Sequence, residues 1–300
     1  MTTTSRRRFL QSALALGATA AFAPASGQAI EPIQRSGRPH FRLSIAAYSY
    51  RDYLTGQRQP AMTLEEYVEL AAALGVDAVE PTSYYFKDTS PAYLARLKGL
   101  CTRLGLDVSG GAVGNNFCHR EPAKLKDELT RVIDWVKRYS LLGAKTIRIF
   151  AGSVPKGDSE EKARERCVAT IEEACTEAGK YGIYLALENH GGITATPEQL
   201  LAIVKAVKSE WFGVNLDTGN FRTSDPYSDL AKIAPYAVAV QIKTEIQRAG
   251  QKKEEADLKR IIELLRAVNY RGYVSLEYEA ADDPKTAIPR HVEALKKLLA

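Results

Sequence analysis

"YLALENHGG", residues 184–192, starts as a buried strand and ends as something else. In an extended chain Leu185 and Leu187 share one face, while Tyr184, Ala186 and Glu188 share the other. An amide, an imidazole and two glycines follow. Driving such groups into a core is costly, because buried polar groups need partners and buried charges need more. Delivering them to the mouth of a pocket is not. The stretch therefore predicts a strand whose inward face turns polar at its C-terminal end.

The same pattern recurs outward from it. The runs "RLSIAAY", "DAVEP", "LDVSGG", "KTIRIFAG", "IYLALENH", "FGVNLDTGN", "AVAVQIKTE" and "YVSLEYEA" read as strands. Amphipathic helical stretches such as "TLEEYVELAAALG" and "EADLKRIIELLRAVNY" lie between them. Thr63 and Thr196-Pro197 mark helix starts, and Gly75, Gly105, Gly143 and Gly182 mark helix stops. Strands separated by helices pair in parallel through crossovers. Eight such units after residue 40 predict an α/β fold, a single-domain (β/α)8 TIM barrel. An open doubly wound sheet is the competing arrangement, but no GxGxxG turn follows the first strand.

Alternation then places chemistry. Phe212, Val214 and Leu216 oppose Gly213, Asn215 and Asp217. Val240 and Ile242 oppose Gln241 and Lys243, and Val274 and Leu276 oppose Ser275 and Glu277. Glu188, Asp217, Gln241 and Glu277 thus face one interior at similar height, at the strand ends where barrel enzymes keep their active sites. Three carboxylates in one low-dielectric pocket repel one another and cost free energy to desolvate. Raised pKa values or a cation would compensate. Lys243 and Arg148 offset part of the charge. A divalent metal would offset more, and three carboxylates with an amide oxygen suit Mg²⁺ or Mn²⁺.

Together "LALENHGG", "VNLDTGNF", "VAVQIKTE" and "YVSLEYEA" resemble the xylose isomerase-like TIM-barrel family of sugar phosphate isomerases and epimerases. The resemblance implies one divalent metal ion held by Glu188, Asp217, Gln241 and Glu277, with Glu188 and Glu277 as the catalytic proton-transfer pair. It implies isomerase or epimerase chemistry through an enediolate. A dehydratase or lyase outcome on the same barrel, and an exported carbohydrate-binding barrel without catalysis, stay open. The family's seventh-strand ligand is usually His. Gln241 in its place shifts the expected metal toward Mn²⁺ or Mg²⁺ and away from Co²⁺ or Zn²⁺. A DNA-repair branch shares the barrel but needs many histidines, and this chain has four.

Supporting roles follow from position. His190 either hydrogen-bonds a substrate hydroxyl or orders its loop. Lys243 contacts substrate or a carboxylate. Arg148 is expected to pair with Glu188 or Glu80, with substrate contact as a secondary role, and Glu80 to line the pocket floor or bind a sugar hydroxyl. Tyr48 would wall a sugar ring. The "GNNFCHRE" loop, residues 114–121, would cover the site with Phe117 and His119, and Asn220 would orient Asp217 or touch substrate.

Composition agrees with a globular protein. The 300 residues are 45% hydrophobic and 26% charged, with a net charge of +5 spread along the chain, so no nucleic-acid surface is expected. Four cysteines without CxxC spacing argue against a disulfide framework. "SRRRFLQSALALGATAAFAPASGQA" has a basic cluster, a short apolar run and small residues near its end. It resembles a twin-arginine signal, with cleavage after Ala25 or Ala29. The expected division is a signal peptide over residues 1–29, a linker over 30–40 and the barrel over 41–300. The twin-arginine export machinery would be a partner and the exported, periplasmic side the location. Phosphosugars are scarce there, so a small unphosphorylated carbohydrate is the expected substrate. A homo-oligomer is compatible with the sequence.

Overall fold

Strand and helix alternate throughout the computed structural model, which describes residues 30–299. The signal expected in residues 1–29 lies outside the described residues. The strands are β1 (His40–Ala46), β2 (Ala78–Glu80), β3 (Asp107–Val108), β4 (Gly111–Ala112), β5 (Thr146–Ile149) and β6 (Tyr184–Glu188). They continue with β7 (Phe212–Asp217), β8 (Ala237–Ile242), β9 (Glu245–Gln247), β10 (Lys253–Glu255) and β11 (Arg271–Leu276). Nine of them form one parallel sheet in the order β3-β2-β1-β11-β8-β7-β6-β5-β4, a nearly closed (β/α)8 barrel. β9 and β10 form a separate antiparallel hairpin beyond the end of β8.

The expected third strand is broken. β3 pairs with β2 and β4 with β5, and a bridge between Thr82 and Ala112 draws the two edges together. The cause is a ring. A Cβ on Gly111 would sit 2.2 Å from the Tyr139 ring, whose hydroxyl donates to the Pro81 carbonyl at 2.6 Å. Only glycine leaves room for a tyrosine there.

The helices are α1 (Arg51–Leu54), α2 (Leu64–Ala73), α3 (Pro91–Arg103), α4 (Pro122–Leu142) and α5 (Glu160–Gly179). They continue as α6 (Pro197–Ala206), α7 (Pro226–Ile233), α8 (Leu258–Ala267) and α9 (Pro284–Leu299). Thr63 and Thr196 each close a capping box with the residue three further on, Glu66 and Gln199. Gly143 caps α4 at φ +87°, a left-handed position that glycine takes without strain. The outward strand faces are the core. Leu185, Leu187, Val214, Leu216, Val274 and Leu276 are fully buried, each worth about 1.5–3 kcal/mol relative to an exposed side chain.

The inward face carries a polar layer. Register places Gln241 beside both Asp217 and Ser275, and Ser275 beside Ser44. Ser44 and Ser109 share a hydrogen bond of 2.8 Å across the barrel. At the opposite end of the barrel, the segment before β1 runs past β8, with the Ile33 amide donating to the Pro235 carbonyl at 2.9 Å. Polar strand ends and this N-terminal segment therefore occupy opposite ends of the same barrel.

Candidate active site

Glu188 is the last residue of β6, Asp217 the last of β7, Gln241 the penultimate residue of β8, and Glu277 the first beyond β11. All four are buried. Two cations face them, and they divide the carboxylates between them.

On one side stands Arg148, inward-facing on β5. Its Nε lies 2.9 Å from Glu188 Oε2, Nη1 donates to the Val113 carbonyl at 3.0 Å, and the guanidinium covers the Phe150 ring at 3.9 Å. Asn220 donates to the other Glu188 oxygen at 2.7 Å, so it orients Glu188 rather than Asp217. Burial pushes the Glu188 carboxyl well above the ordinary range, and Asp217 and Glu277 add to that against the pull of Arg148. Burial alone would lower Arg148, but Glu188 holds it firmly protonated.

Lys243 dominates the other side. Its ammonium lies 2.8 Å from Glu277, 3.0 Å from Glu279 and 3.2 Å from Asp217. Burial opposes its charge, but these three carboxylates hold its pKa well above the usual lysine value. Burial would raise Glu277, yet Lys243 and its hydrogen bond bring that carboxyl below the ordinary range. Asp217 is pushed up to about 7 by burial against the pull of Lys243. Its Oδ1 accepts from the Gly219 amide at 2.8 Å. Asn189 clamps the Asp217 backbone, accepting from its amide and donating to its carbonyl, both at 2.9 Å.

Gln241 is committed elsewhere. Its Nε2 donates to Glu80 at 2.6 Å and its Oε1 accepts from Asn215 at 2.7 Å. Glu80 rises to about 7 through burial and the nearby Glu277, opposed by the Gln241 hydrogen bond. The amide oxygen expected to face a metal instead completes a buried polar chain. A lysine ammonium stands among the carboxylates. The arrangement does not fit a resident divalent ion, since a cation there would meet the Lys243 charge and lack the Gln241 donor. Among the described residues no group of three or more His, Cys, Asp or Glu side chains is disposed to hold a metal.

The remaining expectations divide. Tyr48 is half-buried and lies near Glu277, Glu279 and Lys243, with Arg51 over its ring at 5.3 Å. His190 packs against Phe150 with its ring tilted by 37° and the centroids 4.3 Å apart, beside Arg148. His119 is not at the site: its Nε2 points to Glu128 of α4 at 3.9 Å. Phe117 is fully buried and Asn115 is bonded to both backbone groups of Phe150, so this loop is pinned to the end of β5 rather than draped over the mouth. The basic "TEIQRAGQKKEEAD" segment forms the β9–β10 hairpin. With Asn220 and Glu279 it walls a cavity of about 40 Å³ at Lys243. Asn215, Asn189 and Glu279 were not among the expected site residues. Asn215 and Glu279 lie on the inward parity, which was the available signal.

A family model described as a xylose isomerase-like TIM barrel matches residues 68–298. The chain belongs to the xylose isomerase-like TIM barrel family. An uncharacterized protein of Methanocaldococcus jannaschii is 22% identical over 70% of this chain and 78% of its own length. Among solved structures, 3-keto-D-glucoside 4-epimerase of E. coli aligns at TM-score 0.68 and 15% identity, over 86% of this chain and 99% of that one. D-psicose 3-epimerase, solved in the presence of D-fructose, aligns at 0.66 and 17%, over 86% and 94%. IolI protein with a binding zinc atom aligns at 0.68 and 20%, over 86% and 96%. At these identities the structures share the barrel with this chain.

Proposed function

We propose that this barrel is a carbohydrate isomerase or epimerase that moves a proton through an enediolate, using Glu188 and Glu277. One observation carries the reading: two buried glutamates lie at the strand-end mouth with two strands between theirs, each against its own cation. Their surroundings push the two carboxyls in opposite directions, Glu188 up and Glu277 down. That separation lets one group give a proton while the other takes one. A glutamate removes the proton next to a carbonyl, the electron pair moves onto the carbonyl oxygen, and a proton returns to the opposite face or the neighbouring carbon. The first outcome is epimerisation and the second isomerisation. The epimerases among the similar structures support the substrate class.

The resemblance implies one divalent ion, Mn²⁺ or Mg²⁺ before Co²⁺ or Zn²⁺, acting as a Lewis acid on the substrate oxygens. The donor set does not fit such an ion, so no step is assigned to it. The substrate is an unphosphorylated keto-sugar or glycoside-derived carbohydrate, and the twin-arginine-like residues Arg6 and Arg7 support an exported location.

A panel of ketoses and keto-glycosides incubated with the protein in heavy water tests the reading. C–H signals adjacent to the carbonyl should disappear, and Glu188→Gln and Glu277→Gln should abolish the loss. Exchange with loss of water would assign a dehydratase. Binding without exchange for every sugar would leave a carbohydrate-binding barrel.

A further inference from the structure

Three features of the mouth point the same way. The Lys243 ammonium donates to Glu277 at 2.8 Å and pairs with Glu279 and Asp217 at 3.0 and 3.2 Å, so its charge stands in the space among the three carboxylates where a second cation would have to sit. Gln241 is engaged at both ends of its amide, Nε2 donating to Glu80 at 2.6 Å and Oε1 accepting from Asn215 at 2.7 Å, so its oxygen is turned to Asn215 rather than to the carboxylates around Lys243. The fold also makes room for the lysine stem. A Cβ on Gly219 would lie 2.7 Å from Lys243 Cδ and 2.9 Å from the Glu245 carbonyl. A glycine two residues after Asp217 is what lets this side chain run back to the carboxylates. The Lys243 amide is fixed by the Thr218 hydroxyl at 2.9 Å, so its backbone is positioned by the same β7 turn.

We infer that the Lys243 ammonium is the resident cation of this barrel, taking the place of a divalent metal ion and stabilising the enediolate oxygen directly. The inference rests on the proton-transfer reading for its chemistry but not for its charge balance. In the reaction the C–H proton passes to a carboxylate and the electron pair to the carbonyl oxygen. The ammonium donates a hydrogen bond to that oxygen and keeps its own protons. Glu279 is the partner that substrate would displace, since it is 30% exposed while Asp217 and Glu277 are enclosed. Asp217 is then a positioning residue for the ammonium.

Titration with MnCl₂, followed by calorimetry and by the electron-spin signal of free Mn²⁺, tests this on wild type, Lys243→Ala and Lys243→Ala/Gln241→His. Wild type should bind no Mn²⁺ more tightly than about 1 mM. Removing the ammonium frees three carboxylates, so Lys243→Ala should bind it roughly 100-fold more tightly than wild type. The double variant should bind tighter still. One Mn²⁺ held by wild type with a dissociation constant of about 1 μM would overturn the inference, whether or not the variants fold. Proton exchange in heavy water separates it from the functional reading. Exchange that survives chelator supports both, and exchange abolished by chelator and restored by Mn²⁺ sinks the inference alone. A wild type that neither binds Mn²⁺ nor exchanges any sugar proton sinks the enolisation reading and leaves the cation assignment standing.

Discussion

The two cations at the barrel mouth solve different problems. Arg148 serves one carboxylate, Glu188, and divides the rest of its guanidinium between the Val113 carbonyl and the Phe150 ring. Lys243 serves three carboxylates with a single point charge. A planar fork suits one partner and a flat surface, whereas a compact ammonium with three donors suits a ring of oxygens. The β5–β6 side is thus a paired acid on a rigid mount. The side built from β7, β8 and the end of β11 is a charge cluster organised by one residue.

Removing each cation in turn is the sharpest way to break this comparison. Lys243→Met should cost about 5 kcal/mol, the upper end for a broken buried ion pair, because three carboxylates lose their partner. Arg148→Met should cost about 3 kcal/mol, since only Glu188 is stranded and Asn220 still donates to it. Urea unfolding at neutral pH measures both, and an equal loss would show that the clusters do not differ as described. Gln241→Leu tests the buried chain of Glu80, Gln241 and Asn215. It leaves Glu80 and Asn215 without a partner and should cost about 1–3 kcal/mol.

Two weaker effects concern residues bonded outside the charge clusters. Asp158 is held below the usual carboxylate range by its hydrogen bond to Arg166, a residue that also donates to the Cys118 carbonyl at 3.0 Å. Its folded pKa lies below the unfolded one, so its contribution is complete above the unfolded value and fades as pH falls through the folded one. Asp158→Asn should therefore lower stability above pH of about 4, where the carboxylate's contribution is complete, and change little well below it, so that the acid limb of the profile flattens. His119→Ala, away from the mouth, should shift stability by less than about 0.5 kcal/mol and leave sugar binding unchanged. A loss of activity there would return the loop to the site.

How much of this could be read from the chain depends on what kind of physics wrote it. The barrel was legible because alternation and helix punctuation are local: Thr63, Thr196 and Gly143 act on their own few neighbours. The inward set Glu188, Asp217, Gln241 and Glu277 was legible for the same reason, since parity decides which face a residue meets. The break in the third strand was not, because it depends on Tyr139 arriving from a helix nearly thirty residues away. Partner choice was also hidden. Parity puts Lys243 and Gln241 in the mouth and chain proximity puts Asn220 near Asp217, but only the register of β7 against β8 and the space beside Gly219 decide which carboxyl each one meets.

The most direct test is anomalous diffraction from crystals of the protein grown with millimolar Mn²⁺. The predicted result is no anomalous peak among Glu188, Asp217 and Glu277, with the Lys243 ammonium in contact with Asp217, Glu277 and Glu279. A full-occupancy peak at that position, with Lys243 swung away and the Gln241 oxygen turned toward the ion, would contradict it.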